Sequence, residues 1–499
     1  VEAFDSFEGR PHSHKIVAEG SLVKLGKIEN LLIIYIGIIL VSFFCILAPQ
    51  VFITESELWS ISLGCHFWSD LTGDWVFTRP LFYFLLWLVQ VPSGDPSFAV
   101  FSTRILFAFN GLVIAYLLVK ISENVTKDPR SGYLSIVLLF GNTGFLSQGF
   151  RVRADLLSAT LALIALLWLL EQKSFSFKKF WCFILPLLAT PKGVVHIIPL
   201  FVAGRKQVLS FFKKPVFLGL AFLSFAIWVF INWSNLMFVS HYFERSFGPD
   251  YFDPDSWHHI DFQLRRNPHF WILFLLSLIP FGKSSDKRQK YSYFSAAAFG
   301  VMLLAPGKSL FFIASFLPFF SLQIGLFLKD LNQKMFWNNI KRISAVVATT
   351  LSLLTGIYWS VTNLEKNNNN EQLRVLSDIY NVLKDFPEIT YFDGTCLIPS
   401  LCTYRYFIGP NQPEANDNAY SMLEFKAPSI IFYIEKSQYL EPKLSNFLEK
   451  NYADLGHGLF VHMPHSENGV EKENYRAYSR IRASLPNRMD SLFGYDLNY

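Results

Sequence analysis

NLLIIYIGIILVSFFCILAPQVF, Asn30 to Phe52, runs for 23 residues without a charge. At about 1.5 Å per residue it can cross a hydrocarbon core of roughly 30 Å. It is too long for a signal-peptide apolar region of about 7 to 15 residues, and no small-residue cleavage site follows, so it reads as a retained first span. Directly after it, TESELWSISLG, Thr54 to Gly64, sets Glu55 and Glu57 beside the bilayer surface.

The rest of the chain agrees with a membrane setting. Its 499 residues are 52% hydrophobic and 17% aromatic, and only 17% are charged, below the quarter usual in soluble domains. The formal charge of +5 is less telling than its distribution. Lys and Arg gather in short connectors: Lys120, Lys127 and Arg130; Lys173, Lys178 and Lys179; Arg205, Lys206, Lys213 and Lys214; Lys283, Lys287, Arg288 and Lys290; and Lys329, Lys334, Lys341 and Arg342. By the positive-inside rule these are cytoplasmic, and the N-terminus with Arg10, Lys15, Lys24 and Lys27 joins them. Topology explains the clusters without any nucleic-acid partner.

The apolar segments between connectors fall near 30–52, 98–120, 131–150, 155–171, 180–190, 193–204, 215–237, 269–282, 291–307, 309–328 and 343–361. The sequence thus predicts a polytopic α-helical membrane protein with about 11 crossings and its C-terminus outside. Residues 180–204 are too few for two full crossings, so they are expected to form two short helices meeting at depth around TPKG, Thr190 to Gly193. Irregular backbone at that level needs protein or a water-filled cavity around it, and Lys192 marks such a cavity.

The chain divides into four regions: a cytoplasmic segment 1–29, a membrane domain 30–361 with external loops 53–97 and 238–268, a small periplasmic α/β domain 362–464, and a polar tail 465–499. In the third, ITYFDG (389–394), RYFIG (405–409), SIIFYIE (429–435) and LFVHM (459–463) read as strands, and 371–385 and 440–452 as helices. Cys396 and Cys402 lie there, where an oxidising compartment permits a disulfide; two buried thiols are the alternative.

Polar chemistry collects on the outer side. The first loop carries Glu55, Glu57, His66, Asp70 and Asp74, then GDWVFTRPLFYFLLWLV, an aromatic stretch expected to lie at the interface. FRVRAD brings Arg151, Arg153 and Asp155 to the head of the fourth span, SHYFERSFGPDYFDPDSWHHIDFQLRRNP holds Arg265 and Arg266, and APGKSLFF places Lys308 at an outer junction. Ionisable groups at membrane depth are functional hypotheses by default, at about 2.5 to 3.5 kcal/mol each on insertion scales. Arg151 and Asp155 also have the spacing of an i, i+4 pair. His258, His259 and Asp261 could together bind a divalent ion, although adjacent loop histidines are more often not ligands; a divalent metal is the one cofactor considered, and none is assigned with certainty. The chain contains no Walker, dinucleotide-fold, zincin or nucleophile-elbow signature.

In this order the motifs resemble the integral-membrane glycosyltransferases of the GT-C fold, in the bacterial branch related to protein O-mannosyltransferases and to the aminoarabinose transferases of lipid A. Those enzymes have an acidic Asp-Glu pair opening an external helix, an aromatic proline helix and an A-x-R-L segment. TESELWSISLG, RPLFYFLLWLV and STRILFAFNGLVIAYLL are similar. RVRADLLSATLALIALL, PKGVVHIIPL and GKSLFFIASFLPFF are similar to the family's later motifs. The resemblance implies transfer of a sugar from a polyprenyl-phosphate donor to an envelope glycolipid, glycan or protein on the external face of the inner membrane. It implies a first-loop carboxylate as base, Glu55 or Glu57, and Arg151, Arg153, Lys192, Arg265, Arg266 and Lys308 as candidates to hold the phosphate, supported by Asp155 and Arg79. The chain departs from the pattern in having Thr54 and Glu55, or Glu55 and Glu57, for the acidic pair, and a single Pro80 for two prolines. Glu55 is favoured as the base because it aligns with either member of the pair. An O-antigen ligase or polymerase and a lipid-linked sugar flippase are the rival readings.

Overall fold

The computed structural model describes residues 12–51, 53, 55–65, 67–68, 79–90, 95–171, 185–205, 219, 222–223, 226, 257–279, 285–304, 310–329, 335–366, 369–385, 391–393, 430–432, 442–454, 459–462 and 483. Most of these are helical. In chain order come α1 (His12–Gln50), α2 (Glu55–Cys65), α3 (Pro80–Gln90), α4 (Pro96–Thr126), α5 (Arg130–Phe140), α6 (Thr143–Gln148) and α7 (Ala154–Glu171). A 3-10 turn (Pro191–Gly193) leads into α8 (Val194–Ala203), followed by α9 (His258–Arg266), α10 (Pro268–Ser277), α11 (Asp286–Leu304), α12 (Leu310–Leu328), α13 (Met335–Lys366) and α14 (Asn370–Asp385). Among the described residues, four segments are long and apolar enough to cross a membrane: Asn30–Gln50, Pro96–Thr126, Ala154–Glu171 and Asn339–Glu365.

Local chemistry sets the helix ends. Asp95 caps α4 by accepting from Ser97 N at 2.8 Å, with Pro96 in the first turn, where its missing N–H is no loss. At the other end Lys127 turns the chain through φ 63°. The expected single span 131–150 is divided. After Phe140 the chain bends at Gly141, and Asn142, in extended conformation, starts α6 by accepting from Gly144 N at 2.9 Å. Asparagine competes for backbone groups in this way wherever a helix is interrupted. The amide freed by the break is used: Thr143 N donates to Asn267 Oδ1 at 3.2 Å.

Phe44 of α1 lies at the middle of the core. Its ring meets Phe140 edge-on at 5.0 Å, stacks on Phe145 at 5.5 Å and touches Phe150 at 5.6 Å. Contact between α5 and α12 is backbone-close, because a Cβ on Gly325 would stand 2.3 Å from Ser131 O.

The two ends of the bundle are tied by different contacts. At one end Lys287, in the first turn of α11, donates to Asn124 Oδ1 of α4 at 2.5 Å, and the Arg205 guanidinium lies 5.0 Å from the Tyr293 ring centroid. At the opposite end α14 docks onto the close of α1. Asn369 Nδ2 donates to Pro49 O at 2.8 Å, Ile53 N donates to Gln372 Oε1 at 2.7 Å, and Gln372 Nε2 donates to Ile53 O at 3.0 Å. The segment after the last long helix therefore begins at the end of the bundle that carries α2.

Four short strands are described near the C-terminus, in the order β1 (Tyr391–Asp393), β2 (Ile430–Phe432), β4 (Leu459–His462), β3 (Tyr452–Asp454). β1 and β2 run parallel, and β4 is antiparallel to both β2 and β3. Helix α15 (Pro442–Asn451) passes straight into β3, so the strand begins at the residue where the sequence predicts the helix to end. Its first residue, Tyr452, is buried against Phe447 with ring centroids 6.1 Å apart. The expected strand 405–409, Cys396, Cys402 and the tail from 465 lie outside the described residues, apart from residue 483.

Candidate functional site

Helix α2 opens at Glu55 and turns Glu57, Ser60, Leu58 and Ile61 inward, each no more than 2% exposed. Gly64 lets it lie close on α3, because a Cβ there would stand 2.5 Å from Leu86 Cβ. The approach drives Glu57 into the bundle, where burial of a lone carboxylate would be prohibitive. It is met by two arginines. Arg104 Nη2 donates to Oε2 at 2.8 Å and Arg104 Nε to Oε1 at 3.2 Å, a two-pronged pairing, while Arg151 Nη1 donates to Oε2 at 2.9 Å. Val152 N adds a bond to Oε1 at 3.2 Å. These planar, charge-assisted contacts are the strong kind.

Each arginine also holds backbone. Arg104 Nη1 donates to Val51 O and, at 3.3 Å, to Ala48 O, which are carbonyls at the end of α1 that the helix itself leaves without partners. Arg151 Nε donates to Ser147 O at 3.1 Å. One buried carboxylate thus joins the end of α1, the body of α4 and the turn between α6 and α7. Arg104 is not among the candidates drawn from the sequence, although an arginine within the apolar run of STRILFAF was the signal.

Around this knot lie further charges. Arg153 sits in the turn before α7, outside the spans. Burial lowers its guanidinium to about 10, with Asp155 and Glu57 favouring the charge and Arg79 and Arg151 opposing it, so it stays protonated at neutral pH. The same interactions place Arg79, Arg151, Arg153, Glu57 and Asp155 in one neighbourhood. Asp155 is 8% exposed in the first turn of α7, where a helix favours negative charge. Among the described residues of the cluster, four guanidiniums (Arg79, Arg104, Arg151, Arg153) outnumber two carboxylates (Glu57, Asp155).

The predicted apex has the expected form: residues 185–189 are helical, Thr190 N donates to Pro186 O at 3.3 Å, and Gly193 N to Thr190 O at 2.8 Å before α8 begins. A Cβ on Gly193 would stand 2.3 Å from Pro186 O, so only glycine closes the turn. Lys192 is half-buried there. Four residues on, His196 fixes α8 between two helices, with Nδ1 2.9 Å from Ser158 Oγ and Nε2 3.0 Å from Ser315 Oγ.

Other candidates are elsewhere. Arg265 and Arg266 lie exposed on α9; Arg265 pairs with Asp261 at 2.9 Å and the Arg266 guanidinium is 5.3 Å from the Phe262 centroid. His258 and His259 are neighbours, with ring centroids 4.8 Å apart. Among the described residues no three His, Cys, Asp or Glu side chains converge as metal ligands. Lys308 and the side chain of Glu55 lie outside the described residues.

With this arrangement the chain is similar to a crystal structure of ArnT from Cupriavidus metallidurans bound to undecaprenyl phosphate, at a TM-score of 0.53 and 12% identity over 87% of this chain and 97% of that one. The fold is that of ArnT. The same protein in the apo state gives 0.50 at 12% identity, over 89% of this chain and 98% of that one. The resemblance read from the order of the motifs is thus met at the level of fold. No protein-family model and no curated protein matches the chain.

Proposed function

We propose that the protein is an inner-membrane glycosyltransferase that moves a sugar from a polyprenyl-phosphate donor to an acceptor hydroxyl of an envelope glycolipid, glycan or protein on the external face. The observation that carries this reading is the gathering of Arg79, Arg151 and Arg153 about a buried site beside α2, in a chain whose fold is shared with a protein crystallised with undecaprenyl phosphate. Buried guanidiniums are tolerated where an anion compensates them, and a lipid-borne phosphate reaches such a site from the bilayer.

The chemistry suits it. As the acceptor oxygen bonds to the anomeric carbon, the carbon–oxygen bond to phosphate breaks and the phosphate departs with the electron pair. It leaves as a monoester, carrying more negative charge than the diester donor. Guanidiniums already in position stabilise that developing charge without reorganising, and they do so more in the transition state than in the ground state. Arg151, Arg153 and Arg79 are assigned to the phosphate, with Lys192 and Lys308 as point charges beside it. Arg265, exposed and paired with Asp261, is left out of this set, as is Arg266.

Glu55 is the proposed base for the acceptor proton. Glu57 suits that task poorly, because two guanidiniums and a backbone amide already donate to its oxygens and hold it as an acceptor-only anchor. The test is transfer in membranes supplied with labelled polyprenyl-phosphate sugar. Glu55→Gln is expected to abolish transfer at normal expression, and full activity in that variant overturns the assignment.

A further inference from the structure

Tyr83 belongs to α3, beside the arginine cluster. Its side chain is wholly buried, and its ring packs edge-on against Phe82 at 5.0 Å. The Arg79 guanidinium, four residues earlier, lies close enough to donate toward the phenol oxygen, but among the described residues no acceptor meets the hydroxyl's own hydrogen or Nε of Arg79. A buried hydroxyl whose hydrogen has no acceptor is destabilising, and a phenylalanine would fill the same space without that cost. The hydroxyl lies within the electrostatic reach of both Arg79 and Arg153. Burial raises its ionisation above the ordinary phenol range, and the two guanidiniums, Arg79 foremost, pull it partly back, so the group remains a donor at neutral pH. Two buried donors, one of them on the Arg79 guanidinium and both close to Arg153, suit an anionic oxygen.

We propose that Tyr83 is a phosphate-binding residue: its hydroxyl, together with Arg79 Nε, donates to a phosphate oxygen of the polyprenyl-phosphate lipid. This rests on the reading of the site as one for that lipid. The phenol keeps its proton throughout, so it contributes orientation and charge stabilisation and no proton transfer. It also distinguishes phosphate from alcohol, because a neutral lipid headgroup offers the two donors no anionic oxygen.

The experiment measures binding of a long-chain polyprenyl phosphate, and of the polyprenol with the same tail, to the full-length protein in nanodiscs. Wild type is expected to prefer the phosphate. Tyr83→Phe, which keeps the ring and its packing, is expected to bind the phosphate roughly tenfold more weakly and the polyprenol unchanged. If wild type prefers the phosphate and Tyr83→Phe binds it equally well, the role of Tyr83 is overturned while the reading of the site stands. If wild type binds both lipids alike, the reading of the site fails and the proposal with it. Should Tyr83→Phe not fold, a fluorinated tyrosine at position 83 preserves the shape and ionises more readily. Its affinity for the phosphate is then expected to fall as pH rises while that of wild type does not, and a pH-independent affinity contradicts the proposal.

Discussion

Replacing Glu57 with glutamine removes one charge and keeps the shape, so the cost can be worked from the bonds the carboxylate makes. It accepts from Arg104 at 2.8 and 3.2 Å, from Arg151 at 2.9 Å and from Val152 N at 3.2 Å, with Glu57 and Arg104 both 0% exposed and Arg151 2%. A glutamine offers one oxygen where there were two and turns an NH2 group toward donors. Two guanidiniums then lose the charge of Glu57. Breaking a buried pair by removing one partner costs about 3 to 5 kcal/mol, or on the order of a hundredfold to several-thousandfold in the folding equilibrium at 1.4 kcal/mol per decade. Equilibrium unfolding of the purified protein in mixed micelles measures it, with Asp261→Asn as a reference. The Asp261–Arg265 pair has similar length, 2.9 Å, but is 52% and 78% exposed, and pairs of that kind contribute about 0 to 1 kcal/mol. A loss for Glu57→Gln no larger than that for Asp261→Asn would refute the reasoning that Glu57 anchors α1, α4 and the Arg151 turn.

The same geometry sets further outcomes. Gly64→Val should destabilise by about 1 to 3 kcal/mol and lower activity, since its Cβ would overlap Leu86 and displace α2; unfolding and transfer assays together check it. His196→Leu should lose about 1 to 3 kcal/mol by stripping partners from Ser158 and Ser315, and Ser315→Ala should cost less, because the serine is one of two; unfolding in micelles ranks them. His259 is held below its ordinary range by burial and by His258. Its unfolded form therefore binds a proton first on acidification, so stability falls as pH drops below about 6.5, and His259→Gln should flatten that part of the stability–pH profile.

Much of the fold is legible in the sequence because hydrocarbon permits few solutions. Runs such as Asn30–Gln50 and Pro96–Thr126 have mean hydropathy of 3.0 and 2.0 over their most apolar windows, and apolar stretches of that length read as spans. The apex at Thr190 to Gly193 is legible from length alone. The break at Gly141–Asn142 is not, because Gly and Asn are tolerated in spans and the decisive partner, Asn267, lies far along the chain. β3 is hidden because helix α15 runs into it without a turn residue. At the site, the acidic opening of α2 and the arginines at 151 and 153 stand out as charges beside apolar runs. Sequence favours Glu55 over Glu57 by alignment alone, and it marks neither Arg104 as a partner of Glu57 nor Tyr83 as a buried phenol, because those features depend on which groups face them across helices.

The central claim is transfer from a phosphate-linked lipid, and the most direct test supplies the reconstituted protein with labelled polyprenyl-phosphate sugar and an envelope extract. Label is expected on an envelope acceptor as polyprenyl phosphate is released in equal amount, and Arg153→Gln is expected to stop both. Movement of intact donor across the bilayer, with no release of polyprenyl phosphate and no labelled acceptor, would contradict the claim.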